Sequence, residues 1–488
     1  MCSSSPSRLS SAISLFGVVR RAAVLAAAAV AACGAPPDRG SPPLVVEGGT
    51  LIDGTGADPV QNAAVVVRDG RIASVGKAGD VEAPAGARRV DASGGWIIPG
   101  LVDAHVHYSQ TGWFDGRPDA ADVRERFPYP EVVAELQANP DRYFRAYLCS
   151  GVTSTFDVGG YPWTRDLEER GAKDPEAPRV EAAGALLSTV DFWLNLPAQR
   201  QFVFMDSAAT VREAVRSHAA LGSSAIKVWY IVPGSWTSAD SARFSRRVHA
   251  AGAAADSAGL PFLVHATGLW EAKDAVRAGA EVLVHSVFGA PVDSTFLRLA
   301  RERGVIYTPT LTVTEGYRNA YRGRSAEQMP YPDRCVDDRT RRLFGTSVPG
   351  DALPGWARDG GEPPPNRQLE QGLANLRTVH EAGVTVATGT DAGNPGTAHG
   401  ASIVREMELM ARAGMSPTEV LVASTGNGAR AMGRGGDLGT IQPGREADLV
   451  VLSENPLEDI RHVDSVRTVV KGGEVVYRHD GASGGDGG

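Results

Sequence analysis

From about residue 97 to residue 425, short and almost wholly apolar runs alternate with amphipathic stretches, and the alternation repeats eight times. The strand candidates are IIPGLVDAH, VTSTFD, RVEAAG, AIKVW, FLVHA, VLVHS, VIYTPT and VTVATGTD. Between them lie helical patterns such as TVREAVRSHAAL and LEQGLANLRTVHEAG. A strand that is apolar on both faces must be covered on both, which is the situation of a parallel sheet wrapped in helices. Eight consecutive units predict a closed (β/α)8 barrel of the TIM type, and the stretch has the length for one. A doubly wound open sheet is the other arrangement. Its first strand should lead into a glycine-rich phosphate turn, and none is there.

The flanks follow a different pattern. LVVEGGTLIDGTG and AAVVVRDGRIASVG before the barrel, and ADLVVLSENP and VRTVVKGGEVVYR after it, are alternating β-branched runs broken by glycine. The expected architecture is therefore α/β, with the barrel over residues 97–435. A smaller β-sandwich domain is built from residues 44–96 plus 436–480.

The N-terminus adds an address. Arg20 and Arg21 precede AAVLAAAAVAAC, an apolar run too short to span a bilayer comfortably but suited to a secretory signal. Its end resembles the lipobox of bacterial lipoproteins. Residues 1–32 are thus expected to be a lipoprotein-type signal peptide, Cys33 the lipidated residue and residues 33–43 a flexible tether. This implies export across the inner membrane and a lipid anchor at the cell envelope; a plain secretory signal cut nearby is the other reading. The net charge of −8, without long basic runs, argues against a nucleic-acid partner. Four cysteines, Cys2, Cys33, Cys149 and Cys335, include no CxxC pair, so a disulfide framework is not expected.

The ionisable residues are placed with regularity. His105 and His107 end the first strand, and at a spacing of two they share one face. Lys227 lies in the fourth strand, His265 closes the fifth, His285 the sixth and Asp391 the eighth. In a barrel all six converge on the carboxyl-terminal mouth. Burying a lysine, an aspartate and four imidazoles without partners would cost several kcal/mol per charged group. A shared cation removes that difficulty.

At this point the chain resembles the amidohydrolase superfamily, and within it the imidazolonepropionase-related branch that includes metal-dependent dipeptidases of the prolidase type. The likeness rests on GTLIDGTG, IIPGLVDAHVH, GVTSTFDVGG, TGTDAG, SPTEVLVAST and LGTIQPGREADLVVL. It implies that His105, His107 and Asp391 hold one metal, that His265 and His285 hold a second, and that Lys227 bridges them as an N6-carboxylysine. A free ammonium has no lone pair to offer, whereas a carbamate is an oxygen anion. Imidazolonepropionases of the superfamily use one metal and lack this lysine, so Lys227 argues against that activity. Histidine and carboxylate ligands suit zinc first, with manganese or cobalt as alternatives.

Paired cations lower the pKa of a shared water from about 15.7 towards ~7. The expected chemistry is a bridging hydroxide attacking an amide carbonyl, with Asp391 carrying the proton to the leaving nitrogen. The expected substrates are dipeptides with a hydrophobic or proline C-terminal residue, or N-acyl amino acids. A cyclic amide or lactone would suit the same site. A surface binding lipoprotein without catalysis would have no need of the carboxylated lysine.

Long loops follow His107 and the third strand, and another spans residues 315–367, where such barrels carry function. His399, just past Asp391, is a candidate for contact with the substrate or the ligand shell, against a plain loop histidine. Tyr230 is a candidate hydrogen-bond donor to the substrate, against a packed aromatic at the rim. Trp113, Phe114, Phe192, Trp193 and Trp236 fall in mouth loops, consistent with an apolar substrate group. YRNAYRGR (residues 317–324) reads as a solvated charge run, against a carboxylate-binding segment, while His218, His249 and His380 read as structural.

Overall fold

The computed structural model describes residues 42–191, 201–232, 237–323, 333–358 and 366–479. The signal segment 1–32, Cys33, nearly all of the tether and the loop aromatics Phe192, Trp193 and Trp236 lie outside the described residues.

Eight parallel strand positions form the barrel. The first three are Leu101–Val106, Val152–Asp157 and Arg179–Ala182. The third bends at Gly184 and resumes as Leu186–Ser188. Next come Ile226–Trp229, Phe262–His265, Val282–Val284, Ile306–Thr308 and Thr385–Val386, each paired in parallel with its predecessor. Every residue of the first two strands is buried, as sheets covered on both faces require. The ring closes through backbone bonds. Ala104 N–H donates to Thr388 O (3.0 Å), Asp391 N–H to His105 O (2.8 Å) and His107 N–H to Ala392 O (2.9 Å). A short extra strand, Phe202–Phe204, lies parallel against Leu186–Ser188 and brings the long third-strand loop back to the barrel.

The apolar run GGWIIPGLVDAHVH is two strands, not one. Trp96–Pro99 pairs antiparallel with Leu449–Leu452 in the sandwich, and only after Gly100 does the chain enter the barrel. A Cβ on Gly100 would lie 2.0 Å from Thr153 Oγ1, so the crossing point admits no side chain. The sandwich comprises a four-stranded sheet, from Leu44–Glu47, Ala63–Arg68, Arg71–Lys77 and Arg88–Asp91, facing a five-stranded one. The second sheet joins Thr50–Leu51 and Trp96–Pro99 to Leu449–Leu452, Val466–Lys471 and Glu474–Arg478. Val46, Val65, Ile97, Leu449, Val451 and Val470 meet between the sheets.

Above the barrel mouth, three long loops build a roof with its own apolar core. Trp113 and Phe114 from the first loop pack with Val336, Leu343 and Phe344 from the insertion after strand seven, and with Ala398 beyond strand eight. The insertion is not featureless: it carries the helices Thr312–Tyr321 and Asp338–Phe344. Contrary to the expectation from sequence, a disulfide joins Cys149, at the end of the helix Asp141–Cys149, to Cys335 across 186 residues of sequence. No local spacing signals such a pair; the roof brings the two Cα atoms to 5.4 Å. Among the described residues no helix is long and apolar enough to cross a membrane.

Candidate active site

The six residues singled out in the sequence all reach the carboxyl-terminal end of the barrel. His105 and Lys227 lie within their strands, His265 ends its strand, and His107, His285 and Asp391 follow theirs at once or within a few residues. Five of the six line one cavity of about 260 Å³, and His105 lies directly behind, wholly buried.

Their donor atoms crowd together. His105 Nε2 lies 3.3 Å from His107 Nε2, and Asp391 Oδ1 lies 3.3 Å from the first and 3.0 Å from the second. The His265 and His285 rings are 4.3 Å apart between centroids, and His285 Nδ1 stands 3.8 Å from Asp391 Oδ2. His107 Nδ1 donates to Gly159 O at 2.5 Å, which leaves Nε2 with its lone pair facing the cluster.

Local geometry holds this arrangement at a cost. Asp391 (φ 59°), His285 (φ 75°) and Thr310 (φ 46°) all occupy the left-handed region, which side chains other than glycine seldom adopt. Such strain concentrates where a site over-determines the backbone. Thr310 Oγ1 sits 2.7 Å from His285 Nδ1 and fixes that ring. Behind the cluster, Asp103 accepts from Thr390 N (3.0 Å) and Thr390 Oγ1 (2.6 Å), locking strand one to the turn that carries Asp391. A Cβ on Gly389 would stand 2.7 Å from the Cβ of His105, so only glycine lets the chain pass there.

The electrostatics suit cation binding. Burial pushes the His105 imidazolium down to about 3 and holds those of His265 and His285 well below the ordinary value, so these rings stay neutral, the form that can offer a lone pair to a cation. Burial likewise lowers the Lys227 ammonium to about 7, against the pull of Asp391 and Asp157. A good fraction of Lys227 is then a neutral amine near neutral pH, the form that takes up carbon dioxide to give a carbamate. Burial pushes the Asp391 carboxyl up, yet the adjoining rings of His105, His107 and His285 hold it well below the usual range. His105, His107 and Asp391 alone put three ligand atoms within 4.8 Å of one another. The donor set therefore fits a divalent metal.

A family model for the amidohydrolase family matches residues 96–476. The chain belongs to the amidohydrolase family. It is accordingly a hydrolase acting on amide bonds. It is similar to the ochratoxinase of Aspergillus niger, at 27% identity over 478 residues, covering 88% of this chain and 86% of that protein. An imidazolonepropionase of Porphyromonas gingivalis is 27% identical over 443 residues, covering 85% of this chain and 89% of the relative. Among solved structures, a Xaa-Pro dipeptidase with methionine bound in its active site shares the fold with a TM-score of 0.67. It is 23% identical and covers 90% of this chain and all of that one (100%). The crystal structure of A. niger ochratoxinase gives a TM-score of 0.64 at 22% identity, covering 90% of this chain and 96% of that chain.

The remaining expectations fare unevenly in this amidohydrolase. His399 does not line the cavity. Its Nε2 donates to Gln110 O (3.0 Å) and its Nδ1 accepts from the Tyr147 hydroxyl (2.9 Å), so it reaches the cavity through Gln110. Tyr230 donates its hydroxyl to Asp274 Oδ2 at 2.9 Å and packs on Trp270, away from the cavity wall. Trp113 and Phe114 are buried in the roof. The aromatic wall comes instead from Phe202, Trp229, Phe288 and Tyr317. Tyr317 opens the segment read as a solvated charge run, whose described residues are half-buried except Ala320, which is buried.

Two site residues escaped the sequence reading. Asn394 donates from Nδ2 to Asp391 Oδ1 at 2.7 Å, and its place three residues past Asp391 was the available signal. Arg117, from the first loop, lines the cavity with no signal around it in the sequence.

Proposed function

We propose that this protein is a dinuclear metal-dependent amidohydrolase cleaving an amide bond in dipeptides with a hydrophobic or proline C-terminal residue, or in N-acyl amino acids. The observation that carries the reading is the gathering of four imidazoles, one aspartate and a buried lysine at a single cavity. His105, His107 and Asp391 would hold one ion and His265 with His285 the other, with carboxylated Lys227 between them. Zinc fits these ligands first. Such ions supply a water acidic enough to ionise near neutral pH and a Lewis acid for the carbonyl. Asp391, held by Asn394 and by the Asp391 N–H to His105 O bond, receives a proton and passes it to the departing nitrogen. The aromatic wall shields the reacting bond from bulk water.

The test is metal analysis of the purified mature protein before and after chelation, followed by a screen of dipeptides and N-acyl amino acids. About two ions per chain and chelator-sensitive amide hydrolysis are expected. Cleavage of lactones or cyclic amides alone would select the other reaction class. Lys227→Ala should lose at least one ion and lower turnover by about 100-fold or more; full metal content with normal turnover removes the bridge.

We also propose that the chain is exported and lipidated at Cys33. The Cys149–Cys335 bridge supports this, because such bonds persist mainly in oxidising compartments. Mass spectrometry of membrane fractions, with Cys33→Ser as control, checks it.

A further inference from the structure

The two-ion reading proposed above leaves one buried acid without a task, and this inference rests on that reading. Glu406, on the helix Ser402–Arg412, is wholly buried and does not line the cavity. Its Oε1 accepts from the Leu311 N–H at 2.9 Å and its Oε2 from the Thr312 N–H at 2.8 Å. Those amides stand at the start of the helix Thr312–Tyr321, where N–H groups have no partner within the helix. Leu311, at the N-cap, has no side-chain oxygen to offer them. The acceptor comes instead from a carboxylate 94 positions beyond Thr312.

Burial makes this a costlier cap than the exposed Ser416, which serves another helix of the same chain. What sets the helix Thr312–Tyr321 apart is the residue two before it. Thr310 sits in the left-handed region (φ 46°), which a β-branched side chain rarely adopts. Its Oγ1 meets His285 Nδ1 at 2.7 Å. Thr312 Oγ1 also donates to Thr390 O at 3.0 Å, beside Asp391. Thr390 is braced separately by its two bonds to Asp103, so the His285 side depends more on the Thr310 turn.

We infer that Glu406 is a positioning residue for the second ion. By gripping Leu311 and Thr312 it keeps Thr310 in its left-handed conformation, and Thr310 in turn sets the orientation and tautomer of the His285 ring. Groups that orient a metal ligand in this way change metal affinity by about 10–100-fold when removed.

Zinc affinity, read by chelator competition on the purified mature protein, tests this. Burial pushes the Glu406 carboxyl up to about 7, so the measurement is made roughly one pH unit above that value. Glu406→Gln keeps the shape and sets an amide NH2 against one of the two N–H donors. It should weaken by about tenfold or more the ion that His265→Ala also weakens, and change the other ion less than about threefold. Arg405→Met is the control. It removes the bonds from Arg405 to Glu315, at 2.8 and 2.9 Å, which join the same two helices away from the Thr310 turn. It should lower the thermal midpoint and leave both affinities unchanged. Wild-type protein gives an independent measurement by hydrogen exchange: the amides of Leu311 and Thr312 should be as protected without zinc as with it. Two ions held as tightly by Glu406→Gln as by wild type overturn the inference. So do equal losses of affinity in Arg405→Met, or free exchange of those amides in metal-free protein. A wild-type chain that takes up one ion overturns the dinuclear reading, and this inference with it.

Discussion

His399 shows how one side chain can serve the site without touching it. Its ring is enclosed by Tyr143 at 3.8 Å between centroids, by the Tyr147 hydroxyl and by Gln110 O, and burial lowers its pKa from 6.5 to about 4. Between those two values the unfolded chain binds a proton that the folded chain refuses. Stability therefore falls as pH drops from 6.5 towards 4, by up to about 3 kcal/mol from this group. His399→Gln should flatten the dependence of the urea midpoint on pH across that window; an unchanged slope would contradict the assignment. The six ligand candidates were legible in the sequence because each follows an apolar run, and strand direction alone sends such residues to one rim. Arg117 and Thr310 were not legible. Arg117 acquires its role from Asn394, 277 positions away, and Thr310 from a backbone angle that its residue type does not announce.

At the scale of elements, the alternation of short, wholly apolar runs with helical ones was enough for the barrel, since each strand's burial is written in its own residues. What it could not show was where one sheet ends and another begins. Trp96–Pro99 and Leu101–Val106 read as one apolar run, and only tertiary pairing divides them at Gly100. The roof was hidden for the same reason: its core is drawn from three loops far apart in sequence. Its staple is Cys149–Cys335. A bridge closing so long a loop contributes at most about 5 kcal/mol through the unfolded chain. Reduction, or Cys149→Ser with Cys335→Ser, should lower the thermal midpoint by several degrees. It should also raise KM more than it lowers kcat, because the insertion supplies Tyr317 to the chamber while the ligand strands stay in place. Unaltered melting in the double variant would show that the roof's apolar core suffices.

At the scale of the whole molecule, sandwich and barrel are interlocked by partly buried charge. Arg179 of the third barrel strand meets Asp448 and Glu446 at 2.9 Å each, and Lys471 Nζ donates to Gly171 O (2.8 Å) and Asp174 O (2.9 Å) at the end of a barrel helix. Cations bound by six residues from five strands would bind the folded chain alone, adding about 4 kcal/mol at a thousand times the dissociation constant. Chelation should thus lower the calorimetric midpoint of the entire protein in one transition, and zinc should restore it. A melting curve indifferent to metal would count against a shared ion cluster.

The pairing of Trp96–Pro99 with Leu449–Leu452 has one more consequence. As the chain emerges from the ribosome, an early strand must wait for one made some 350 residues later. At synthesis rates of about 5–20 residues per second, that delay is tens of seconds. Throughout it the β-domain stays incomplete, and so does the footing of the strand that bears His105. On the export proposed above, that delay would leave the nascent protein open enough for a secretion channel to thread.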